Sequence, residues 1–292
     1  YNLFSIKTGI LIQALSSTNY VVNDRRATFD QQANTYDQRV GLPKQDCHQI
    51  VQAILSLTQA EPGDLVVEVG AGTGQIGQWF AHSPVQYLGF DLSEGMLDVF
   101  RQHLNWQGKN TTLIVADGNQ RWPVADGTAR VIFSSRAIHL LNLEHVVDEI
   151  FRVALPEGAA LIIGRIQRHR ESVKARMQQE MQRRLRQLGF QGHQGEQNQR
   201  QLLELCCQRG AKLIAPVVVA RWKVATTPQD SINSWQQVEG LGGVEVPSGI
   251  KRRILEELQI WGKATFGQLE QQVESEEAYV LKGAELTIKK VY

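Results

Sequence analysis

Two kinds of apolar pattern alternate along the middle of the chain. Short continuous apolar runs at 65–69, 85–90, 111–116, 129–134 and 159–163 predict strands buried on both faces. Between them, apolar residues at helical spacing predict helices near 74–82, 94–104 and 143–154, with Ser93 placed to cap the second. Upstream, Phe29, Ala33, Tyr36 and Val40 share one helical face that Pro43 ends, and a second helix is expected over Asp46–Leu57. Downstream, Val173, Met177, Met181 and Leu185 repeat at steps of four, predicting one helix over Ser172–Leu188 that Gly189 stops. Gln191–Arg200 is Gln/Gly-rich and reads as a loop, followed by a short helix at 201–208 and one or two strands within Lys212–Thr226. Pro247-Ser248-Gly249 opens a helix with Ile250, Ile254, Leu258, Trp261 and Thr265 on one face, and Tyr279–Val291 reads as a final strand. Strand–helix alternation of this kind predicts a doubly wound α/β fold, whose ligands sit at the carboxyl ends of the strands.

The first strand leads into Glu68-Val-Gly70-Ala71-Gly72-Thr-Gly74, glycines at alternate positions that let backbone approach a bound molecule closely. Asp91 closes the second strand at the spacing that lets a carboxylate take ribose hydroxyls. A nucleoside ligand follows, in one of two registers. Gly72-Thr-Gly74-Gln-Ile-Gly77 matches the dinucleotide fingerprint but leaves Glu68 in mid-strand. Starting the loop at Gly70 puts Glu68 near the strand's carboxyl end, where it suits a cationic amino group and repels a pyrophosphate.

The motifs continue in order. Gly89-Phe-Asp91-Leu92-Ser-Glu-Gly-Met96, Ala116-Asp117-Gly118, and Trp122-Pro-Val-Ala-Asp126 before Val131-Ile-Phe-Ser134-Ser135 follow the glycine loop. Together with Phe29-Asp-Gln-Gln-Ala33-Asn-Thr-Tyr36-Asp37-Gln-Arg39 upstream, they make residues 27–165 resemble the class I S-adenosylmethionine (SAM)-dependent methyltransferases, in particular the type-11 group of small-molecule enzymes. The resemblance implies a Rossmann-like doubly wound, seven-stranded, mostly parallel sheet with a C-terminal helical cap. It implies an N-terminal extension at 1–26, helices covering the cofactor at 27–60, a SAM-binding core at 61–166, and cap helices with the remaining strands at 167–292. It implies that Glu68 and the loop Gly70, Ala71, Gly72 and Gly74 hold the methionine end of SAM, and that Asp91 takes the ribose. Leu92 and Met96 then flank the adenine, Asp117 and Gly118 meet its amino group, and Ser134 ends the fourth strand at the site. One departure is Arg130, where an acid is common, at a position that points away from the cofactor.

Composition narrows the partners. The 31 Lys and Arg residues against 30 Asp and Glu give a net charge of +1, so no overall field draws the chain to nucleic acid. Eight basic residues do crowd Arg165–Arg186, which an RNA-methylating reading would use, but the apolar stripe in that segment makes them the solvated side of a helix. Cys47, Cys206 and Cys207 lack paired spacing, so no metal site is expected, and buried thiols suit a cytoplasmic, reducing compartment. No run is long enough to span a membrane, and Gln13 interrupts the one apolar run, Ile10–Leu15, that a signal peptide would need. The chain starts at Tyr1 rather than Met, so its native start is left open. A homodimer is compatible with all of this.

The expected chemistry is in-line displacement of a methyl group from the sulfonium onto an oxygen or nitrogen of a small molecule. An acceptor that must lose a proton needs a base, and His139 follows the fourth strand where many type-11 enzymes carry a His. Packing within that loop is the other role open to it. Tyr36, Arg136, Trp222 and Trp235 are candidates to touch the acceptor, each with an ordinary packing or solvated role as its alternative. His193 reads as a surface residue. A SAM-binding protein without turnover is the other functional class that fits these motifs.

Overall fold

The computed structural model describes residues 29, 30, 33, 36, 37, 42–104, 110–192 and 195–288. Helix α1 (Lys44–Leu57) precedes β1 (Leu65–Val69), then β2 (Gln86–Asp91), α2 (Glu94–Leu104), β3 (Thr111–Val115), β4 (Ala129–Ser135), α3 (Leu143–Val153) and β5 (Ala159–Arg168). The second half supplies α4 (Val173–Gln187), α5 (Gly195–Gln208), β6 (Lys212–Thr226), α6 (Pro228–Gln236), α7 (Ser248–Phe266) and β7 (Val273–Leu286). The strands form one seven-stranded sheet in the order β3-β2-β1-β4-β5-β7-β6. Strands β1 to β5 pair in parallel, while β7 runs antiparallel to both β5 and β6.

Both faces of the sheet are covered. On one, Ile50, Val51 and Ile54 of α1 and Leu97 and Phe100 of α2 pack with Val66 and Tyr87. On the other, Val146, Val147 and Ile150 of α3 and Leu202 and Cys206 of α5 pack with Val67 and Val69. The period-2 alternation of β1 sorts Val66 and Val67 to opposite faces and sends Glu68 to the face of Val66. Local caps set the helix starts: Ser93 Oγ accepts from the Met96 amide at 3.1 Å, and Asn142 from the His145 amide at 3.2 Å. Arg130, at the start of β4, donates to the carbonyls of Thr58 and Gln59 at the C-terminus of α1, the end of the sheet away from the glycine loop.

Several elements differ from the sequence pattern. The stretch after the glycines is a turn and a short 3-10 helix, Gly77–His82, because left-handed backbone at Gly70, Gly72 and Gly74 keeps the loop from closing into helix sooner. Helix α5 starts at Gly195, inside the expected loop, since Glu and Gln are good helix formers whatever their low-complexity look. Strand β6 is single but slips register between Ile214 and Val217, where Pro216 has no amide to donate. Strand β7 begins six residues before Tyr279 and stops at Leu286.

Residues 167–292 divide between two bodies of packing. Helix α5 and strands β6 and β7 complete the sheet and its core, whereas α4, α6 and α7 bury Met177, Met181, Leu185, Ile232, Ile254 and Leu258 in an apolar cluster of their own. Each such side chain contributes roughly 1.5–3 kcal/mol on burial. The basic stretch is largely paired: Arg165 meets Glu196, Arg168 and Lys174 meet the buried Glu277, and Arg183 and Arg184 meet Glu180. Among the described residues, no helix is long and apolar enough to cross a membrane.

Candidate active site

The carboxyl ends of β1, β2, β3 and β4 open onto a cavity of about 1090 Å³, its mouth included. Glu68, the loop from Gly70 to Gly72, Asp91, Leu92, Met96, Asp117 and Gly118 all line it, as do Tyr36 and Arg136. The glycines are required by close approach. A Cβ at Gly70 would lie 2.1 Å from the Ala137 Cβ, and one at Gly74 would lie 2.1 Å from the Phe100 ring. Gly74 thus packs the loop on α2 without lining the cavity itself. Gly77, the last glycine of the dinucleotide match, serves packing too: a Cβ there would sit 2.8 Å from Glu68 Oε2.

The loop amides are bonded within the protein. Gly70 and Ala71 both donate to the Phe90 carbonyl, at 2.9 and 3.0 Å, Gly74 donates to the Ala71 carbonyl, and Gly72 donates to Asp91 Oδ2 at 2.8 Å. Asp91 also accepts from the Ser93 amide at 3.0 Å. These bonds fix the carboxylate at the tip of β2 and tie it to the glycine loop, while burial pushes its pKa up against the same bonds. Asp117 Oδ1 accepts from the Asn119 amide at 2.9 Å, holding the turn after β3. That turn is anchored by Trp122, whose indole donates to the Gly118 carbonyl and whose amide donates to the buried Glu149.

Glu68 is 3 % exposed, and Tyr87 Oη donates to its Oε2 at 2.5 Å. Burial lifts its carboxyl to about 8, opposed by the Tyr87 hydrogen bond and the charge of Arg136. A carboxyl placed here pairs with a cationic ligand group by giving up its proton, and as a carboxylate it repels a phosphate. Ser135, one residue past the expected Ser134, faces the cavity, and its Oγ shares a 2.7 Å hydrogen bond with Tyr279 Oη. Ser134 turns the other way, donating to the Val69 carbonyl at 2.9 Å.

The remaining candidates scatter. The backbone of His139 lies in the 3-10 turn Ile138–Leu140, between the cavity-lining Ala137 and Leu140, but its side chain lies outside the described residues. Arg39, Val40 and His193 also lie outside them. Trp222 lies outside the cavity, on β6 opposite Glu277, packed beside the α1 face of the core. Trp235 is also outside it, among the apolar residues of α4, α6 and α7. Both are drawn there by burial of ring area. Tyr87, Gln75, Ser135 and Phe29 were given no role at the site by the sequence, and the last three line the cavity. Phe29 and Ser135 stand within the motifs, and the signal for Tyr87 is a hydroxyl inside an apolar strand.

Two acids bring the N-terminal helical residues onto this site. Asp30 accepts from the Ser93 hydroxyl and the Gly95 amide, and Asp37 accepts from the Thr73 hydroxyl.

Comparison with known proteins agrees with this geometry. Residues 66–158 match the family described as methyltransferase domain. Malonyl-[acyl-carrier protein] O-methyltransferase of Yersinia pestis is 29 % identical over 136 residues, 46 % of this chain and 48 % of its own. Demethylmenaquinone methyltransferase of Thermobifida fusca is 27 % identical over 114 residues, 38 % of this chain and 48 % of its own. The chain spans about half the length of the curated relatives it matches. A solved Bacillus halodurans C-125 protein shares the fold at TM-score 0.52 and 16 % identity, covering 80 % of this chain and 97 % of its own. Residues 66–158, from β1 to the turn before β5, thus carry a methyltransferase domain, and the acids of the cofactor motifs gather at one cavity at the ends of its strands.

Proposed function

We propose that this protein transfers a methyl group from SAM to an oxygen or nitrogen of a small-molecule acceptor by in-line displacement. The observation that carries the reading is the convergence of Glu68, Asp91 and Asp117 at the carboxyl ends of three adjacent strands. Their order across the sheet follows the order of groups along the cofactor: adenine amino group at Asp117, ribose at Asp91, and methionine ammonium at Glu68. The sulfonium then lies toward β4, where Ser135, Arg136 and Ala137 leave room for an acceptor. A relative named for O-methylation supports an oxygen acceptor. In-line transfer is accelerated mainly by holding the two reactants in register, which the walls of a preformed cavity do.

His139 is the candidate base where the acceptor carries a proton to lose, since its turn borders the cavity. Cys47 and Cys206 are buried free thiols, which fits a reducing, cytoplasmic setting. The test is calorimetric titration with SAM, S-adenosylhomocysteine and NADH, followed by assay of S-adenosylhomocysteine release over a panel of small acids, phenols and amines. Micromolar binding of the first two, none of NADH, and acceptor-dependent release are expected. Binding of NADH alone would overturn the cofactor assignment, and SAM binding without turnover on any acceptor would leave a non-catalytic SAM-binding protein.

A further inference from the structure

Arg136 leaves β4 with φ at +67°, the left-handed region that side-chain-bearing residues rarely adopt. Strain of this sort persists where the surroundings hold it, and here it sets a guanidinium in the wall of the cavity. The guanidinium lies over the Tyr36 ring, its Cζ 5.4 Å from the centroid, and Nη2 donates a long 3.5 Å hydrogen bond to Gln75 Oε1. Gln75 is itself fixed, its Nε2 donating to the Leu42 carbonyl at 3.0 Å. Yet Arg136 Nε and Nη1 are buried, and among the described residues no acceptor meets either of them. Burying charged donors unmatched is costly, so their placement calls for an anionic acceptor.

The surrounding residues leave that acceptor to a ligand. Glu68 is near enough to feel the Arg136 charge, but its Oε2 is engaged by Tyr87. The glycine-loop amides at Gly70, Ala71, Gly72 and Gly74 are bonded internally, so they form no anion nest. A planar guanidinium offers adjacent N–H pairs that match a carboxylate at two points.

We propose that Arg136 receives a carboxylate in this cavity. The inference rests on the methyltransferase reading, which brings two carboxylates within reach. One is the α-carboxylate of the cofactor's methionine end, beside the ammonium at Glu68. The other is a carboxylate on the methyl acceptor, entering from the β4 side.

Wild type, Arg136→Gln and Arg136→Lys are titrated with S-adenosylhomocysteine and with 5′-methylthioadenosine, which has the nucleoside but no amino-acid end. Saturation-transfer NMR then follows malonate and hexanoate over protein saturated with S-adenosylhomocysteine. If the cofactor supplies the carboxylate, the Gln variant binds S-adenosylhomocysteine ten-fold or more weakly. Its affinity for 5′-methylthioadenosine stays within two-fold, and the Lys variant falls between. If the acceptor supplies it, both nucleosides bind all three proteins alike, and saturation transfer to at least one acid is seen in wild type and lost in the Gln variant. Equal loss of both nucleosides in both variants would make Arg136 a structural residue and overturn the inference. So would unchanged nucleoside binding with no acid signal in wild type. Wild type that binds neither nucleoside would overturn the methyltransferase reading as well.

Discussion

If Glu68 receives the ammonium of SAM, cofactor binding must be linked to protons. The buried carboxyl titrates at about 8 against 4.5 for the free group, so cofactor-free protein at pH 7 holds it protonated about ten to one. Pairing with an ammonium requires the carboxylate, and forming it at pH 7 takes about 1.4 kcal/mol from the binding energy, roughly ten-fold in affinity. Affinity for S-adenosylhomocysteine should therefore rise about ten-fold from pH 6 to pH 7 and flatten toward pH 8. Well above that it should fall again as the ligand's own α-amino group loses its proton. Calorimetry at pH 7 in buffers of different ionisation enthalpy should register release of close to one proton. Glu68→Gln has no proton to release, so its weaker binding should be flat between pH 6 and 7. The same substitution bears on stability. A folded-state pKa raised above the unfolded one stabilises the fold below pH 4.5, and that contribution is lost as pH rises through about 8, on the order of 5 kcal/mol for a group this buried. The Gln variant should thus melt above wild type at pH 8 to 9, without ligand. Binding with no proton release at pH 7, or a pH dependence that survives in Glu68→Gln, would refute the assignment of Glu68 to the ammonium.

Three further substitutions separate cofactor contacts from scaffold. Asp91→Ala removes the acceptor of the Gly72 and Ser93 amides as well as the expected ribose contact, so adenosine and S-adenosylhomocysteine should both bind ten-fold or more weakly by calorimetry. Equal affinity for adenosine in variant and wild type would remove Asp91 from the ribose site. Gly74→Ala forces a Cβ toward the Phe100 ring at φ +73°, and should lower the urea midpoint by an amount equivalent to about 2 kcal/mol or more. Leu258→Ala opens a void among α4, α6 and α7, costing about 2–5 kcal/mol in the same assay. Its S-adenosylhomocysteine affinity should stay within two-fold, because Leu258 lies outside the cavity lining.

What was legible in the sequence was local. Glu68, Asp91 and Asp117 sit at or within two residues of strand ends, and in a parallel sheet all such ends face one crevice, so type and position together placed them. Where placement depended on a single residue of register or on distant packing, sequence could not reach it. Ser134 and Ser135 are both plausible at the end of β4, but alternation sends neighbouring side chains to opposite faces, and only Ser135 meets the cavity. Tyr87 reaches Glu68 because β1 and β2 pair with Tyr87 opposite Val66, a register written in no motif. Trp222 and Trp235 were singled out for residue type alone, and the elements that bury them assemble from segments far apart in the chain. The helices of the second half were readable one by one. That α5 joins the sheet while α4, α6 and α7 pack together depends on which apolar faces meet, which period does not state.

The glycine loop shows how far a motif can carry chemistry. Its glycines fit two cofactor readings because they report where backbone must come close, not what it comes close to. A pyrophosphate would need loop amides aimed at it and a helix N-terminus behind them. Here four of those amides are bonded to Phe90, Ala71 and Asp91, and a 3-10 turn stands where the helix would start. The loop is closed upon itself, so in the function proposed above charge recognition falls to side chains that line the cavity, Glu68 at the end of β1 and Arg136 just past β4. An acid and an arginine on one cavity would suit the zwitterionic end of an amino-acid-bearing nucleoside, and they would be a poor partner for two phosphates.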